Sequence, residues 1–451
     1  MKIVAKSTKK ILDTKIPVFH QIKSTYQDNH TGIILLPDGK EIKTPVLWYG
    51  LSIVESVEFQ KNVYSKGNVK AFLSNVYDLL FQDKKGKRAT LIEEFTKQGM
   101  PHKLDSGGFQ LMKANIAKDS KTKKKIKNHL TPEIVFNKQR DVGCDVAIQL
   151  DVPLSPNSTK KEQKEAIDTT IRNFKELLKL NRDNHHPLNI MPVAHGYSEE
   201  MINYCIEQYE ELLDDIPIIG IGSLVPMVKS IKGTNKIGGK WTFVKNLIYL
   251  RKRLPNTMIH AFGIGGTMSY LAFYCGIDSL DSNGWIQKSA YGVIQLPGIS
   301  DRFLFKKPHN RPYLMANRMY KRNGRKKIVN EIKMFMNCNC PECKPFQQNP
   351  DQKQAWIKKQ AYFDKDGEEG RMIRAIHNVY VFNQELELIT SAIENGTLNK
   401  FIEDRLSLGT YMKLFYYARY LKNGEIQKAR NLRNNKKNGQ KKLDILKDYF
   451  K

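Results

Sequence analysis

Short apolar runs alternate with longer amphipathic segments between residues 46 and 262. The runs have the length of buried strands, and the segments carry apolar residues at helical spacing. Predicted strands are 46–49, 146–150, 189–193, 216–221 and 258–262, and predicted helices include 161–180, 199–213 and 243–253. Alternating strands and helices are typical of parallel βα units, so the pattern predicts an α/β fold, a (β/α)8 TIM-type barrel. A doubly wound open sheet is the alternative, and the glycine cluster at 263–266 lacks the spacing of its phosphate motif.

After residue 300 the pattern changes to a cysteine cluster, a helical block over about 369–398 and a basic helical tail. We therefore predict a barrel over 1–330, a zinc-binding subdomain packed on it over 331–400, and a basic helical extension over 401–451. No apolar run approaches the roughly 20 residues of a membrane span. The basic start lacks the apolar core of a signal peptide. With few cysteines, half of them clustered, we expect a cytoplasmic protein that does not bind membranes.

Positive charge is in large excess. The chain has 74 Lys and Arg against 46 Asp and Glu, a formal net charge of +28. Basic residues cluster in 84–88, 121–127, 322–327 and 430–447. Such clusters favour a nucleic-acid partner, because they neutralise phosphates and release counterions. A lysine-rich composition with solvated faces is the alternative.

Three of the six cysteines form the motif Cys338-x-Cys340-x-x-Cys343, and His377 follows in a predicted helix. Thiolates and an imidazole can close a tetrahedral zinc site, so the motif predicts bound zinc. A chance cluster of reduced thiols is the alternative. By itself His377 could also be a core or capping residue.

Asp105, Asp151 and Asp281 each lie at or just after a predicted strand. In a βα barrel the carboxyl ends of the strands carry the active site, so these carboxylates are expected to converge there. For any one of them, capping of the following helix is the alternative. Beside Asp105, the glycines at 107–108 would let a flat ligand approach the backbone, and Phe109 offers a ring to stack on it.

Together these motifs resemble the tRNA-guanine transglycosylase superfamily over nearly the whole chain up to about residue 400. The segments that carry the resemblance are 31–45, 73–77, the Asp-Ser-Gly-Gly-Phe-Gln motif at 105–110, the surroundings of Asp151, 220–226, 262–265, 276–281 and the cysteine triplet with its distant histidine. The resemblance implies a barrel enzyme that exchanges guanine in a nucleic acid for another base, with a structural zinc.

Two segments, 222–226 and 281–285, are closer to the archaeal than to the bacterial members, which implies 7-cyano-7-deazaguanine (preQ0) as the incoming base. After residue 400 nothing resembles the archaeal RNA-binding extension, and a short basic tail stands there. This combination resembles the DNA-guanine transglycosylases of phages and bacterial DNA-modification clusters. We therefore expect DNA as the substrate, in the cytoplasm of a bacterium or a phage-infected host, with tRNA as the alternative.

The resemblance also implies roles for individual residues. Asp281 would attack C1′ as the nucleophile, and Asp105 would be the general acid and base. Asp151 would accept hydrogen bonds from the base, Gly222 would donate its N–H to the base carbonyl, and Phe109 would stack. The residues expected around the base are Ser106, Gly107, Phe109, Asp151, His195, Gly222 and Ser223. The expected zinc ligands are Cys338, Cys340, Cys343 and His377.

The resemblance leaves room for a homodimer and for helper proteins. Two interpretations from other classes remain. The chain could be a non-catalytic partner subunit that binds nucleic acid, although a scaffold has no use for a buried nucleophile. It could also be an unrelated glycoside hydrolase barrel, which the cysteine cluster and the charge disfavour.

Overall fold

The computed structural model describes residues 19–36, 38–109, 130–186, 188–228, 239–298, 302–303, 330–407 and 411–434. Several predicted features lie outside these residues. They are the basic clusters 121–127 and 322–327, most of the cluster 430–447, and the last residue of the motif at 105–110.

The strands in the described part of the chain are β1 Phe19–Tyr26, β2 Asn29–Leu35, β3 Glu41–Thr44, β4 Val46–Gly50, β5 Phe72–Asn75, β6 His102–Asp105, β7 Val146–Ile148, β8 Ile190–Met191, β9 Val193–Ala194, β10 Ile218–Ile221, β11 Met258–Ala261, β12 Ser279–Ser282, β13 Val293–Ile294 and β14 Arg302–Phe303. The helices are α1 Val57–Lys66, α2 Val76–Phe81, α3 Lys87–Lys97, α4 Pro132–Val142, α5 Lys160–Asp183, α6 Glu199–Glu210, α7 Val225–Val228, α8 Gly239–Arg253, α9 Met268–Tyr274, α10 Gly284–Ala290, α11 Gln352–Phe363, α12 Gly367–Glu394, α13 Leu398–Ser407, α14 Met412–Lys422 and α15 Ile426–Asn434.

Strands β4 to β12 form a parallel barrel in chain order, with β12 paired to β4. The two ends of this sheet are β8 and β9, which are the halves of one strand interrupted at Pro192. Proline has no N–H to donate to a ladder, so it splits the predicted strand 189–193. The Gly220 N–H donates to the Pro192 carbonyl at 2.8 Å, which joins β10 to the interrupted strand. The predicted (β/α)8 barrel is therefore confirmed, and the open-sheet alternative is wrong.

Successive residues of the barrel strands face opposite sides, and both sides are buried. On β4, Val46 and Trp48 belong to the cluster inside the barrel, whereas Leu47 and Tyr49 belong to the cluster under the helices. The hairpin of β2 and β3 supplies Ile34 to the inner cluster, next to the first residues of several barrel strands. The hairpin thus covers the amino-terminal end of the barrel, and the carboxyl-terminal end is left for a site.

Helix bounds follow local signals in the sequence. The predicted helix 161–180 is α5, which begins after Thr159 because Thr159 and Glu162 form a capping box. Asp151 and Asp281 do not cap the helices that follow them, since the residues before α5 and α10 are Thr159 and Asn283. The capping alternative is therefore wrong for these two aspartates.

The predicted helical block at 369–398 corresponds to α12, a long helix that packs along α1 and α10. Helices α13 and α14 follow, and α14 packs on the barrel helices through the ring pairs Trp241–Tyr417 and Tyr274–Phe415, each 4.9 Å between centroids. The predicted boundary between residues 400 and 401 falls inside α13. The division into three parts stays a prediction. No helix of the described ranges is long and apolar enough to cross a bilayer.

Candidate active site

A cavity of about 750 Å³ lies at the carboxyl-terminal ends of the barrel strands. Its polar lining includes Asn75, Asp105, Asp151, Ser223 and Asp281, each at or just beyond a strand end. The structure therefore brings the three aspartates of the sequence analysis together in one site. Three carboxylates so close cannot all be ionised at low cost, and their surroundings decide which of them keeps a proton.

Asp281 accepts two hydrogen bonds, both on Oδ1. The donors are the Gly263 N–H at 2.9 Å and Nε2 of His260 at 3.1 Å. Burial favours the neutral acid and raises the pKa of Asp281. The hydrogen bond from His260, the charge of Lys103 and the hydrogen bond from Gly263 outweigh burial, so the pKa of Asp281 is lowered. Asp281 is thus held as a carboxylate, and no described residue donates a hydrogen bond to Oδ2.

The proton of His260 can be assigned from its neighbours. The Trp48 indole N–H donates to Ser279 Oγ at 2.9 Å, and Oγ lies 2.8 Å from Nδ1 of His260. Ser279 therefore donates its own proton to Nδ1, and His260 carries its proton on Nε2, facing Asp281. A buried chain of hydrogen bonds thus fixes the orientation of the carboxylate.

A buried histidine also lies beside Asp151. Oδ2 of Asp151 lies 3.1 Å from Nε2 of the fully buried His195, whose Nδ1 lies 2.9 Å from Ser223 Oγ. Ser223 Oγ in turn accepts the Leu154 N–H at 2.8 Å, so its proton points to His195. The predicted pocket residues His195 and Ser223 therefore lie together beside Asp151, although Nε2 of His195 forms no hydrogen bond within the described residues. The hydrogen bond to Asp151 comes from Ser106 Oγ, 3.4 Å from Oδ1.

Asp105 has no histidine partner. It accepts a hydrogen bond from the Asn75 amide at 2.8 Å. Burial, followed by the negative charges of Asp151 and Asp281, raises the pKa of Asp105 to about 7. At neutral pH this carboxyl is close to half protonated, which suits a group that gives up and takes back a proton.

Glycines allow the backbone to approach two of these side chains. A Cβ on Gly108 would lie 2.0 Å from Asp151 Oδ1, and a Cβ on Gly222 would lie 2.4 Å from the His195 ring. The predicted donation from the Gly222 N–H to a base does not fit, because this N–H donates to the Ala194 carbonyl at 2.9 Å as part of the barrel.

The remaining predicted pocket residues surround Asp105. Ser106 is fully buried, and Gly107 has a φ of +107°, a conformation that favours glycine. Phe109 lines the cavity and is 42% exposed, so its ring remains accessible at the entrance.

Sequence analysis missed Lys103 and His260, which lie inside the barrel beneath the cavity. Lys103 is 1% exposed, and its Nζ lies 2.9 and 3.0 Å from the two ring nitrogens of His260. Burial lowers the pKa of Lys103 to about 7, although the negative charges of Asp281 and Asp105 act to raise it. A signal was present, because a residue two positions before Asp105 on a strand shares its face.

The cysteine motif and the distant histidine also meet. The Sγ atoms of Cys338, Cys340 and Cys343 each lie 3.5 Å from Nδ1 of His377. Zinc bonded tetrahedrally to sulfur at about 2.3 Å and to nitrogen at about 2.0 Å requires a separation of about 3.5 Å. These four residues therefore fit a metal such as zinc in both chemistry and spacing.

The histidine of this group is oriented by a backbone contact. Nε2 of His377 lies 3.0 Å from the Gln295 carbonyl, so this nitrogen donates and Nδ1 is free to bind a metal. His377 lies on α12, while the cysteines lie on the loop before α11. A metal here would join that loop to the long helix on the barrel.

Comparison with known proteins gives consistent matches. The family described as queuine tRNA-ribosyltransferase matches residues 27–408. The tRNA-guanine(15) transglycosylase of Pyrococcus furiosus is 22% identical over 397 residues, which cover 86% of this chain and 57% of the relative. The Thermococcus kodakarensis protein of that name is 23% identical over 411 residues, which cover 88% of this chain and 59% of the relative. The Archaeoglobus fulgidus protein of that name is 26% identical over 345 residues, which cover 76% of this chain and 59% of the relative. The chain thus spans less than two thirds of the length of these relatives.

Proposed function

The chain belongs to the queuine tRNA-ribosyltransferase family, and on that premise we propose that it is a glycosyltransferase that replaces guanine in a nucleic acid with another base. The observation that carries this proposal is the contrast between two carboxyls in one cavity. Asp281 is held ionised, whereas burial and its neighbours raise the pKa of Asp105 to about 7. Base exchange at C1′ with retention needs one nucleophilic carboxylate and one carboxyl that transfers protons.

In the first step, Oδ2 of Asp281 attacks C1′ of the target guanosine. The bond from C1′ to N9 breaks, and Asp105 gives its proton to the leaving guanine. The product is a glycosyl ester on Asp281. Both hydrogen bonds to Asp281 end on Oδ1, which leaves Oδ2 for the sugar.

In the second step, the incoming base loses its N9 proton to Asp105 and attacks C1′. The ester bond to Asp281 breaks, so the carboxylate and the protonated Asp105 are restored. Asp151 accepts hydrogen bonds from the amino and ring N–H groups of a guanine-like base, because it lines the cavity and a carboxylate is an acceptor only. The identity of the incoming base as preQ0 stays a prediction.

We propose tRNA as the polymer. The support is that the relatives compared above are named as tRNA-guanine(15) transglycosylases, while the proposal of DNA comes from the sequence resemblance alone. A zinc ion bound by Cys338, Cys340, Cys343 and His377 would have four protein ligands and no open position, so it would be structural. The homodimer, the helper proteins and the cytoplasmic location stay predictions.

Incorporation of labelled guanine tests this function and its substrate together. The purified protein would be incubated with an unmodified tRNA pool, single-stranded DNA and duplex DNA, with Asp281→Asn as the control in each. We expect label in tRNA and none with the variant. Label in DNA alone would overturn the choice of polymer, and no label in any of the three would overturn the proposed activity.

A further inference from the structure

A buried lysine in the barrel core needs a physical explanation. Burying an ammonium group far from water is costly unless the protein compensates the charge. Lys103 is 1% exposed, yet no described carboxylate lies within ion-pairing distance of its Nζ. Its neighbours are instead the His260 imidazole and the face of Trp48, 4.6 Å from the ring centroid.

These neighbours belong to the chain of hydrogen bonds that ends at the nucleophile. Trp48 is paired in register with Asp281, and His260 with Ser279. The cluster spans β4, β6, β11 and β12, so it is fixed by the barrel itself and not by loops. Asp281 accepts the last hydrogen bond of this cluster, from His260.

Below about pH 7 the positive charge of the cluster resides on Lys103. Burial and the nearby ammonium lower the pKa of His260 to about 4, so its imidazole is neutral. The charged groups that influence Lys103 are Asp281 on β12 and Asp105 on its own strand, and its ring neighbours are His260 on β11 and Trp48 on β4.

We propose that Lys103 is a positioning residue whose charge, acting with the neutral His260, keeps Asp281 ionised and oriented for attack on the sugar. The inference rests on the proposed function, since it assigns Lys103 to the nucleophile of that reaction. Lys103 touches neither the sugar nor the base. It acts only through the imidazole and through its electric field.

The test is a direct titration of Asp281. Protein labelled with ¹³C at aspartate carboxyls is followed by NMR against pH, and the Asp281 signal is identified by its loss in Asp281→Asn. Lys103→Met and Lys103→Gln remove the charge, the second while keeping a hydrogen-bond donor. The matched control is Lys359→Met, another fully buried lysine over an aromatic ring, 4.2 Å from Phe335.

We expect the Asp281 titration to move up by about one pH unit in the Lys103 variants and to stay in place in Lys359→Met, since a nearby opposite charge lowers a carboxyl pKa by about 1–3 units. The acidic limb of guanine release should move by the same amount. An unchanged titration in the folded Lys103 variants overturns the inference, whether or not the protein exchanges guanine. A shifted titration in a protein without exchange would uphold the role of Lys103 and refute the proposed activity instead.

Discussion

At the scale of single residues, identical side chains in one cavity acquire different chemistry from their hydrogen-bond partners. Nε2 of His260 donates a hydrogen bond to Asp281, and Nε2 of His195 lies 3.1 Å from Asp151 without forming one. Ser279 and Ser223 contact the Nδ1 atoms of these two histidines. Asp105 has the Asn75 amide and the Ser106 backbone as hydrogen-bond partners, and it is the carboxyl whose pKa rises to about 7. The difference between the proposed nucleophile and the proposed acid is therefore set by neighbours that lie far away in the sequence.

The raised pKa of Asp105 predicts a dependence of stability on pH. In the unfolded chain this carboxyl ionises near pH 3.9, and in the folded chain near 7, so the folded state binds more protons between these values. Stability is therefore lost as pH rises from about 4 to 7. Replacing the group by a neutral amide removes this loss, so Asp105→Asn should be more stable than the wild type at pH 8 by roughly 1–3 kcal/mol.

Urea unfolding at pH 5 and pH 8 measures this difference. The control is Asp38→Asn, because the Asp38 side chain is 60% exposed on a turn. Asp105→Asn should also release guanine slowly at every pH, while release by the wild type should decline above about pH 7. An Asp105 variant that loses stability between pH 5 and 8 as the wild type does would contradict the assigned ionisation.

The three aspartates could be found from the sequence because each lies in a recognisable motif, but the contacts that separate their chemistry could not. Lys103, His260 and Ser279 are polar residues inside strands, and nothing local indicates which partner they meet. That information comes from the register of four strands that are up to 231 residues apart, as between Trp48 and Ser279.

At the scale of elements, strands with uninterrupted apolar runs were predicted close to their observed bounds. The exceptions have local causes. Pro192 splits the predicted strand 189–193, and β5 and β6 are short and contain polar residues. Strands β5 and β6 could be located in the sequence only through the motifs in which they lie. The helix that carries His377 was predicted, but its long contact with α1 and α10 was not.

The cluster of three cysteines and His377 predicts that one element depends on zinc. A metal bound by these four residues would join the loop at 338–343 to α12, so its removal should free the loop and leave three thiolates, two of them buried, without a partner. Chelation, or Cys343→Ser, should lower the melting temperature and expose the cysteines of the motif to a thiol reagent. The matched control is Cys144→Ser, a buried cysteine outside the group.

Zinc content measured by atomic emission should be about one ion per chain in the wild type and in Cys144→Ser, and close to none in Cys343→Ser. A wild-type protein that contains no zinc and has the same melting temperature with and without chelator would contradict the structural role of the site.

At the scale of the whole molecule, the charge of +28 supports a polyanionic partner but does not select one. Some of the basic residues that were predicted to bind nucleic acid instead stabilise the fold. Arg88, in the predicted basic cluster 84–88, is 3% exposed and pairs with Asp78 at 2.8 Å, so it contributes to the core and not to a binding face. The composition was enough to predict that the partner is a nucleic acid. The choice between DNA and tRNA depends on individual contacts, which cannot be recognised from residue types.

In the proposed mechanism, Asp281 becomes covalently attached to the sugar during exchange. The most direct measurement is to incubate the protein with tRNA in the absence of an incoming base, denature it, and locate the nucleotide adduct by mass spectrometry of the peptides. We expect an adduct on the peptide that contains Asp281, none with Asp281→Asn, and slower formation with Asp105→Asn. An adduct that persists in Asp281→Asn, or that maps to another residue, would refute the role of Asp281 as nucleophile.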